Sequence, residues 1–238
     1  MAKVNGQGQM EAQRDENDFL DFIDDAVVPG FEKPKTTTPT ILSVAREGDQ
    51  VLDSSDESYI KGAKPGDFIV KSSRMVVTSP THVVPLEYRH LYSEFKPNMG
   101  EFVGYCTPEV ALDKAIDPYK FGSLESKEGN KLNESHVFIL SLLEHDNMVV
   151  ILPMMSSKIP DALNWYRNMM STNYNGRKVA PWNQVWTLST KLSRNSRGSW
   201  FLIKADFASI VDRNIYDAIA SVRETMRPVK DLLLEADY

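Results

Sequence analysis

Residues 181–207 constrain the fold more than any other stretch, because they alternate between apolar and polar side chains in two successive runs. The apolar face carries Trp182, Trp186, Leu188 and Leu192 in the first run, and Phe201, Ile203, Ala205 and Phe207 in the second. A period of two residues is that of a half-buried β-strand, so the pattern predicts a hairpin with a basic loop at residues 193–198. The wetter face of the second strand keeps Trp200 and Lys204, where we expect contact with a flat, negatively charged partner.

Positive charge and tryptophan are concentrated around this hairpin. Residues 156–204 contain eight Lys or Arg residues against one acid, a net charge of +7, whereas the whole chain carries −6 and the remainder therefore −13. All four tryptophans lie in the same window. Single-stranded nucleic acid requires cations for its phosphates and aromatic faces for its unstacked bases. For Trp182 and Trp186 a place in the core is the favoured alternative, and for Trp200 both interpretations stay open.

The predicted nucleic-acid interface has a centre and flanking contacts. The centre consists of Trp200, Lys204, Lys191, Arg194 and Arg197. The flanking contacts are Arg177, Lys178, Tyr174 and Trp165. Asn175-Gly176 is typical of a tight hairpin turn and is expected to place Arg177 and Lys178 at its tip. The alternative for the charged loop is a solvated hairpin tip without a ligand.

The chain is predicted to have three parts. Residues 1–40 form an acidic, largely disordered N-terminal tail and linker, because residues 1–32 carry a net charge of −6 and the next segment is rich in Pro and Thr. Residues 41–207 contain short apolar segments separated by Pro and Gly turns, as in a β-barrel or sandwich. Residues 208–238 form a C-terminal amphipathic helix, residues 208–227, followed by an acidic tail.

Two further segments depart from the strand pattern. Residues 107–131 are charged and weakly periodic, which predicts an insertion over the barrel with a helical turn at residues 108–116. Residues 156–171 change to helical spacing, with Ser157 as the expected N-cap and Pro160 in the first turn. For the helix at residues 208–227, self-association and docking on its own barrel are both open.

Several classes of protein are disfavoured by the sequence. The four histidines, His82, His90, His136 and His145, are dispersed without metal-ligand spacing. Neither a phosphate-binding glycine loop nor a nucleophile elbow is present, so we expect no enzyme, no metal and no cofactor. The single cysteine excludes a disulfide framework. No apolar run approaches the roughly 20 residues that span a bilayer. We therefore expect a soluble, intracellular protein without membrane contact.

The order of several short motifs resembles a group of tailed-bacteriophage proteins. They are AKPGD at residues 63–67, VPL at 84–86, GEFVGY at 100–105, PMMS at 153–156, an Asn-Trp-bearing helix, and an LST…GSWF hairpin at 188–201. This order is similar to that of phage single-stranded DNA-binding proteins with an OB-like barrel, over residues 38–207. The resemblance implies a mainly β, OB-like fold with added helices. It also implies a role in phage DNA replication or recombination, in the cytoplasm of the infected bacterial host.

The leading hypothesis is sequence-independent binding of single-stranded DNA. The first alternative is a phage structural or assembly protein whose Trp-rich hairpin is a subunit interface, and the second is a small enzyme of nucleic-acid metabolism. The tail at residues 228–238, with a net charge of −2, is predicted to recruit replication proteins and to compete with DNA for the basic surface. In the alternative interpretation its leucines extend the helix and pack on the barrel.

Overall fold

The chain was analysed as a computed structural model, which describes residues 40–97, 100–120, 122–196 and 198–225. The strands are β1 (Leu42–Val44), β2 (Phe68–Val70), β3 (Met75–Val77), β4 (Thr81–Phe95), β5 (Phe102–Cys106), β6 (Leu124–Glu125), β7 (Lys131–Leu142), β8 (Met148–Met155), β9 (Asn173–Tyr174), β10 (Arg177–Lys178), β11 (Gln184–Asn195) and β12 (Gly198–Ile210). The α-helices are α1 (Pro108–Lys114), α2 (Ile159–Ser171) and α3 (Arg213–Thr225). The predictions for the tails before residue 40 and after residue 225 lie outside the described residues.

The two longest central strands, β4 and β7, organise the large antiparallel sheet. They pair with each other along their length, and each has two successive partners on its other edge. At one end the order is β12-β11-β4-β7-β8, and at the other β5 flanks β4 while β6 flanks β7. Pro85 lies at a register shift in β4, as expected for a residue without an N–H to donate. Pro153 lies in β8, which among the described strands forms an extended pairing with β7 alone.

A smaller antiparallel sheet, β1-β2-β3, packs beside the large one. A parallel bridge between Ile41 and Ile151 connects the two sheets. The turn before β2 fixes the small sheet against the hairpin: the Thr190 hydroxyl donates to the carbonyl of Gly66 at 2.6 Å. A Cβ at Gly66, whose φ is +95°, would lie 2.8 Å from a ring carbon of Phe201. Glycine is therefore required there both by the turn and by the close approach of β12.

The strand pairings of the described residues do not close into a barrel. The mainly β character with added helices is confirmed, but the predicted OB-like barrel is not. Within the described ranges β12 pairs only with β11, and its free edge lies near a 3₁₀ turn, Ser156–Lys158, rather than a strand. Ser156 has a φ of +52°, in the left-handed region, where the chain leaves β8 for the 3₁₀ turn and α2. This change of direction ends β8 before a ladder with β12 can form.

Helices cover both faces of the large sheet. On one face, Ala162, Trp165 and Met169 of α2 join a core that includes the small sheet. On the other face, α3 packs Ile215, Ile219 and Val222 against residues of β4, β7 and β11. The predicted C-terminal helix begins later than expected because β12 continues to Ile210. None of the helices in the described ranges is long and apolar enough to cross a membrane.

The insertion at residues 107–131 has a core of its own. It contains α1, which confirms the predicted helical turn, and the short strand β6. The Thr107 hydroxyl caps α1 by accepting from the Val110 N–H, and Pro108 occupies the first turn. Ala111 and Leu124 pack with Cys106 in a small apolar cluster. The insertion therefore lies at the β5–β6 end of the large sheet, away from the hairpin tip.

Candidate nucleic-acid interface

The two faces of the β11–β12 hairpin are those predicted from the alternation, except at Trp182, which lies in a 3₁₀ turn before β11 and packs with the cluster under α3. Leu192 pairs with Phe201 and Leu188 with Ala205, and these side chains belong to the apolar face. On the opposite face, Ser193 pairs with Trp200, Lys191 with Leu202 and Ser189 with Lys204. Because cross-strand partners share a face, the register collects Trp200, Lys191 and Lys204 on one surface.

Trp200 lies in a cleft of about 290 Å³ between β12 and the segment that follows β8. The cleft is lined by Val44, Arg46, Pro153, Met155, Ser156, Ser157, Lys158, Ser199, Trp200 and Phe201. Trp200 is half-buried, and its indole Nε1 is enclosed without a hydrogen-bond partner among the described residues. Enclosed N–H groups in native proteins nearly always have an acceptor. The indole Nε1 of the core residue Trp165 is likewise enclosed without a partner in the described part of the chain, so the part of the Trp200 ring that faces the cleft, and not its N–H, is the feature available to a ligand.

Two cations, Arg46 and Lys158, line the same cleft. Neither side chain forms an ion pair with an acid in the part of the chain that the structure describes. Burial and the charge of Arg46 lower the pKa of Lys158 to about 8. The two positive charges therefore repel each other in a half-enclosed space that an anion would stabilise.

The 3₁₀ turn before α2 contributes two serines to the cleft. The predicted N-cap at Ser157 is wrong: α2 begins at Ile159, after the 3₁₀ turn, and no side chain caps it. Ser156 and Ser157 instead line the cleft.

Cations at and near the hairpin tip are exposed but partly neutralised. The Arg194 guanidinium lies 3.9 Å from the Glu47 carboxylate, and both side chains are largely exposed. The Ser199 hydroxyl donates to the same carboxylate at 3.3 Å. Lys204 lies 3.5 Å from Asp161, the one acid of the basic window. The Arg194–Glu47 pair, exposed on both sides, contributes little to stability, whereas the Asp161 partner of Lys204 is only 20% exposed.

Lys191 and Arg197 are the remaining predicted residues of the centre. Lys191 is exposed on β11, three residues before Arg194. Arg197 lies outside the described residues.

The flanking group Tyr174, Arg177 and Lys178 lies at the other end of β11. These residues are exposed on the β9–β10 hairpin, and positive φ angles at Asn175 and Gly176 confirm the predicted tight turn. The Gln184 side chain donates to the carbonyls of Met169 and Val179, which fixes this hairpin beside the start of β11. A twelve-residue strand rises roughly 37 Å from its first residue to its last. The flanking group and the hairpin tip are therefore not one site.

Trp165 is the clearest correction among the predicted contacts. Its side chain is only 2% exposed, and its ring stacks on Phe138 with centroids 4.4 Å apart. It also meets Trp186 edge-on at 6.2 Å. The helical period places Trp165 on the face of α2 that packs on the sheet, so it is a core residue and not a ligand contact.

Sequence reasoning missed Arg46 and treated Lys158 only as part of the charge count. Arg46 begins a polar loop more than 100 residues from the hairpin, and nothing in its local pattern distinguishes it. Lys158 is nearer in sequence, but its proximity to Trp200 depends on the turn at Ser156. The alternation of the hairpin identified Trp200, whereas the cations beside it depend on tertiary packing.

Fold and site together define a mainly β protein with a basic, tryptophan-lined cleft at the free edge of its large sheet. Residues 32–230 match the model of the Pam3 phage gp34-like protein family, so the chain belongs to that family. The match confirms the phage part of the resemblance found in the sequence. No match was found among curated proteins or among solved structures.

Proposed function

We propose that this protein binds single-stranded DNA without sequence preference, through the cleft around Trp200 and the adjoining face of the β11–β12 hairpin. In this proposal Arg46 and Lys158 bind a phosphate, Trp200 stacks on a base, and Lys191 and Arg194 contact the phosphates that follow. Phage DNA replication or recombination is the proposed setting, in the cytoplasm of the infected bacterial host. An OB-like binding mode remains part of this proposal.

The observation that carries the proposal is the composition of the cleft. Two cations without an ion-paired acid among the described residues stand beside a half-buried tryptophan. Stacking on an aromatic ring and neutralisation of phosphate are the two interactions by which proteins bind single strands without reading sequence. A cleft at the other end of β12 is less suitable, because Asp212 and Asp217 line it.

Titration of the intact chain with oligo-dT, followed by tryptophan emission, tests this function. We expect saturable quenching, and equal affinity for mixed-sequence single strands of the same length. Lys71→Gln, at an exposed position on the turn after β2, is the control and should bind as the unaltered chain does. No emission change and no binding by an independent anisotropy assay would refute the proposal.

A structural or assembly role is the second candidate, and the open edge of β12 favours it. Phe207 is 41% exposed and Ile210 36% exposed on a strand that pairs only with β11 in the described ranges. An unprotected edge strand with apolar side chains is a template for pairing with another chain. Light scattering distinguishes the two candidates: an assembly that forms without DNA and is lost in Phe207→Ser would favour this second role.

We further propose a binding role rather than catalysis, without a cofactor for DNA binding. The acidic tail at residues 228–238 is the proposed recruitment site for replication proteins. Self-association of the chain is a proposal for the β12 edge. The apolar stripe of α3, by contrast, already packs on the large sheet of its own chain.

A further inference from the structure

Two of the dispersed histidines come together on the β4–β7 pair, far from the Trp200 cleft in sequence. His90 on β4 is directly opposite His136 on β7. Glu134, two residues before His136, shares its face because side chains alternate along a strand. The sequence alone indicates no metal site here, since the spacing from His90 to His136 has no pattern until the register is known.

We propose that His90, Glu134 and His136 form a binding site for a divalent transition-metal ion, Zn²⁺. The proposal is independent of DNA binding. It is based on the convergence of three donor atoms, one unpaired buried nitrogen, and a tyrosine that orients one imidazole.

The donor atoms converge at distances that suit tetrahedral coordination. The Nε2 atoms of His90 and His136 lie 3.0 and 3.4 Å from Oε1 of Glu134, and the three donors lie within 4.8 Å of one another. Ligands held 2.0–2.1 Å from Zn²⁺ in a tetrahedron are roughly 3.3–3.4 Å apart. A small change in the side-chain torsions of the exposed His90 would bring all three donors to that separation.

An ordinary ion pair with Glu134 does not account for the burial and the hydrogen bonding of His136. It is 2% exposed, and its Nε2 has no hydrogen-bond partner in the described part of the chain. The 3.4 Å approach to Glu134 is an ion-pair distance without hydrogen-bond geometry. A buried polar atom without a partner is rare in native structures. A metal ion would give this nitrogen a ligand.

Tyr88 supplies an orienting contact of the kind found behind metal-binding histidines. Its hydroxyl lies 2.7 Å from Nδ1 of His136. When Nδ1–H donates to the Tyr88 oxygen, Nε2 is left with a free lone pair directed at Glu134. Such outer contacts fix the tautomer and the ring orientation of metal ligands.

Solvent can reach the position that the three residues leave open. The His90 and Glu134 side chains are 41% and 39% exposed, and Glu134 lines a cleft of about 660 Å³ together with Tyr92 and Asn133. Two imidazoles favour Zn²⁺ over Mg²⁺ or Ca²⁺, which prefer oxygen ligands. Two histidines and a glutamate with a fourth, water-filled position is an established Zn²⁺ ligand set.

Calorimetric titration of the untagged full chain with ZnCl₂, after dialysis against a chelator, tests the site. We expect one Zn²⁺ per chain and no comparable heat with MgCl₂. His90→Ala and Glu134→Gln each remove a ligand, so each should lower affinity by more than the roughly 10–100-fold that loss of an outer contact costs. His82→Ala is the matched control, because His82 is also on β4 and paired with a glutamate, Glu144, at 2.6 Å.

Tyr88→Phe tests the buried histidine without removing it. We expect Zn²⁺ affinity to fall roughly 10–100-fold, while circular dichroism without metal shows that the variant is folded. Absence of Zn²⁺ binding by the intact chain would mean that the cluster is an ion pair only, which would overturn the proposal. Binding that survives both ligand variants unchanged, or that His82→Ala lowers equally, would also overturn it.

Discussion

Two tryptophans of the basic window take different roles in this protein. Trp165 is enclosed between Phe138 and Trp186, whereas Trp200 is half-buried in a cationic cleft. A buried ring stabilises the fold through the apolar area it removes from water. A half-buried ring at the entrance of a cleft retains a face that a base can cover, so Trp200 is the residue whose substitution should separate binding from folding.

We predict that Trp200→Ala weakens oligo-dT binding by about 1–3 kcal/mol, the usual contribution of one stacked base. Trp182→Ala is the matched control. Trp182 is also half-buried, but the Arg223 guanidinium lies over its ring, 4.1 Å from the centroid, so loss of that ring should leave DNA affinity unchanged. Circular dichroism should show that both variants are folded. Unaltered affinity in Trp200→Ala would remove this residue from the interface.

Lys158 gives the interface a pH dependence. Burial and the charge of Arg46 lower the pKa of Lys158 to about 8, so its positive charge is lost at a pH where other lysines keep theirs. We predict that oligo-dT affinity is constant at lower pH and declines as pH rises through about 8. The affinity of Lys158→Arg should stay constant over this range, because a guanidinium remains charged.

The lowered pKa of Lys158 affects the stability of the fold in the direction opposite to its effect on DNA affinity. The unfolded chain holds the Lys158 proton up to the ordinary pKa of 10.5 and the folded chain only to about 8. Between these values the unfolded state binds more protons, so the contribution of Lys158 to the free energy of unfolding rises with pH. Weaker DNA binding at high pH therefore cannot be attributed to unfolding caused by this group.

Among the elements, α3 shows how tertiary packing decides between two sequence interpretations. Its apolar stripe was compatible with self-association or with docking on its own chain, and the structure packs Ile215 and Ile219 on the large sheet. Ile219 is 1% exposed, whereas Tyr216 on the same helix is 49% exposed.

We predict that Ile219→Ala lowers the free energy of unfolding by about 2–5 kcal/mol, because it leaves a cavity under α3. Tyr216→Ala is the control and should change stability far less. Urea denaturation measures both. A loss of oligomers in Ile219→Ala without a loss of monomer stability would show that the stripe serves an interface between chains.

The sequence predicted those elements of the molecule whose periodicity is strong. The alternation correctly assigned both faces of the hairpin from Trp186 onward, whereas Trp182, predicted on the face of Trp186, lies in a 3₁₀ turn and packs with the cluster under α3. The sequence could not predict which residues far apart in the chain lie close together in the fold. Three such features depend on strand register and on reversals of chain direction. They are the separation of the β9–β10 hairpin from the Arg194 tip, the approach of Arg46 to Lys158, and the pairing of His90 with His136.

The predicted barrel is not closed in the structure, for a related physical reason. Short strands separated by turns fit a barrel or open sheets equally well, and the choice depends on whether the edge strands meet. Here a single residue with positive φ, Ser156, ends β8 and starts the turn that faces β12. The resulting gap is the cleft that we propose for DNA. The proposed site therefore lies where the fold departs from the predicted barrel.

At the scale of the whole chain, charge is segregated between the basic window at residues 156–204 and the acidic remainder. We predict that deletion of residues 230–238 raises oligo-dT affinity at low salt, because a negative tail competes with phosphates for the basic surface. The gain should shrink as the Debye length falls below about 10 Å. Anisotropy titrations over a salt series measure it, and a lower melting temperature with unaltered affinity would assign the tail a structural role.

The salt dependence of oligo-dT affinity in the intact chain and in Arg46→Gln/Lys158→Gln tests the central claim most directly. For the intact chain, the logarithm of affinity should fall linearly with the logarithm of salt concentration. Loss of the two cations that together bind one phosphate should flatten that slope by about 0.7, at ~0.7 per phosphate on a single strand. Identical slopes for the two proteins, or an affinity indifferent to salt, would contradict the assignment of the Trp200 cleft to single-stranded DNA.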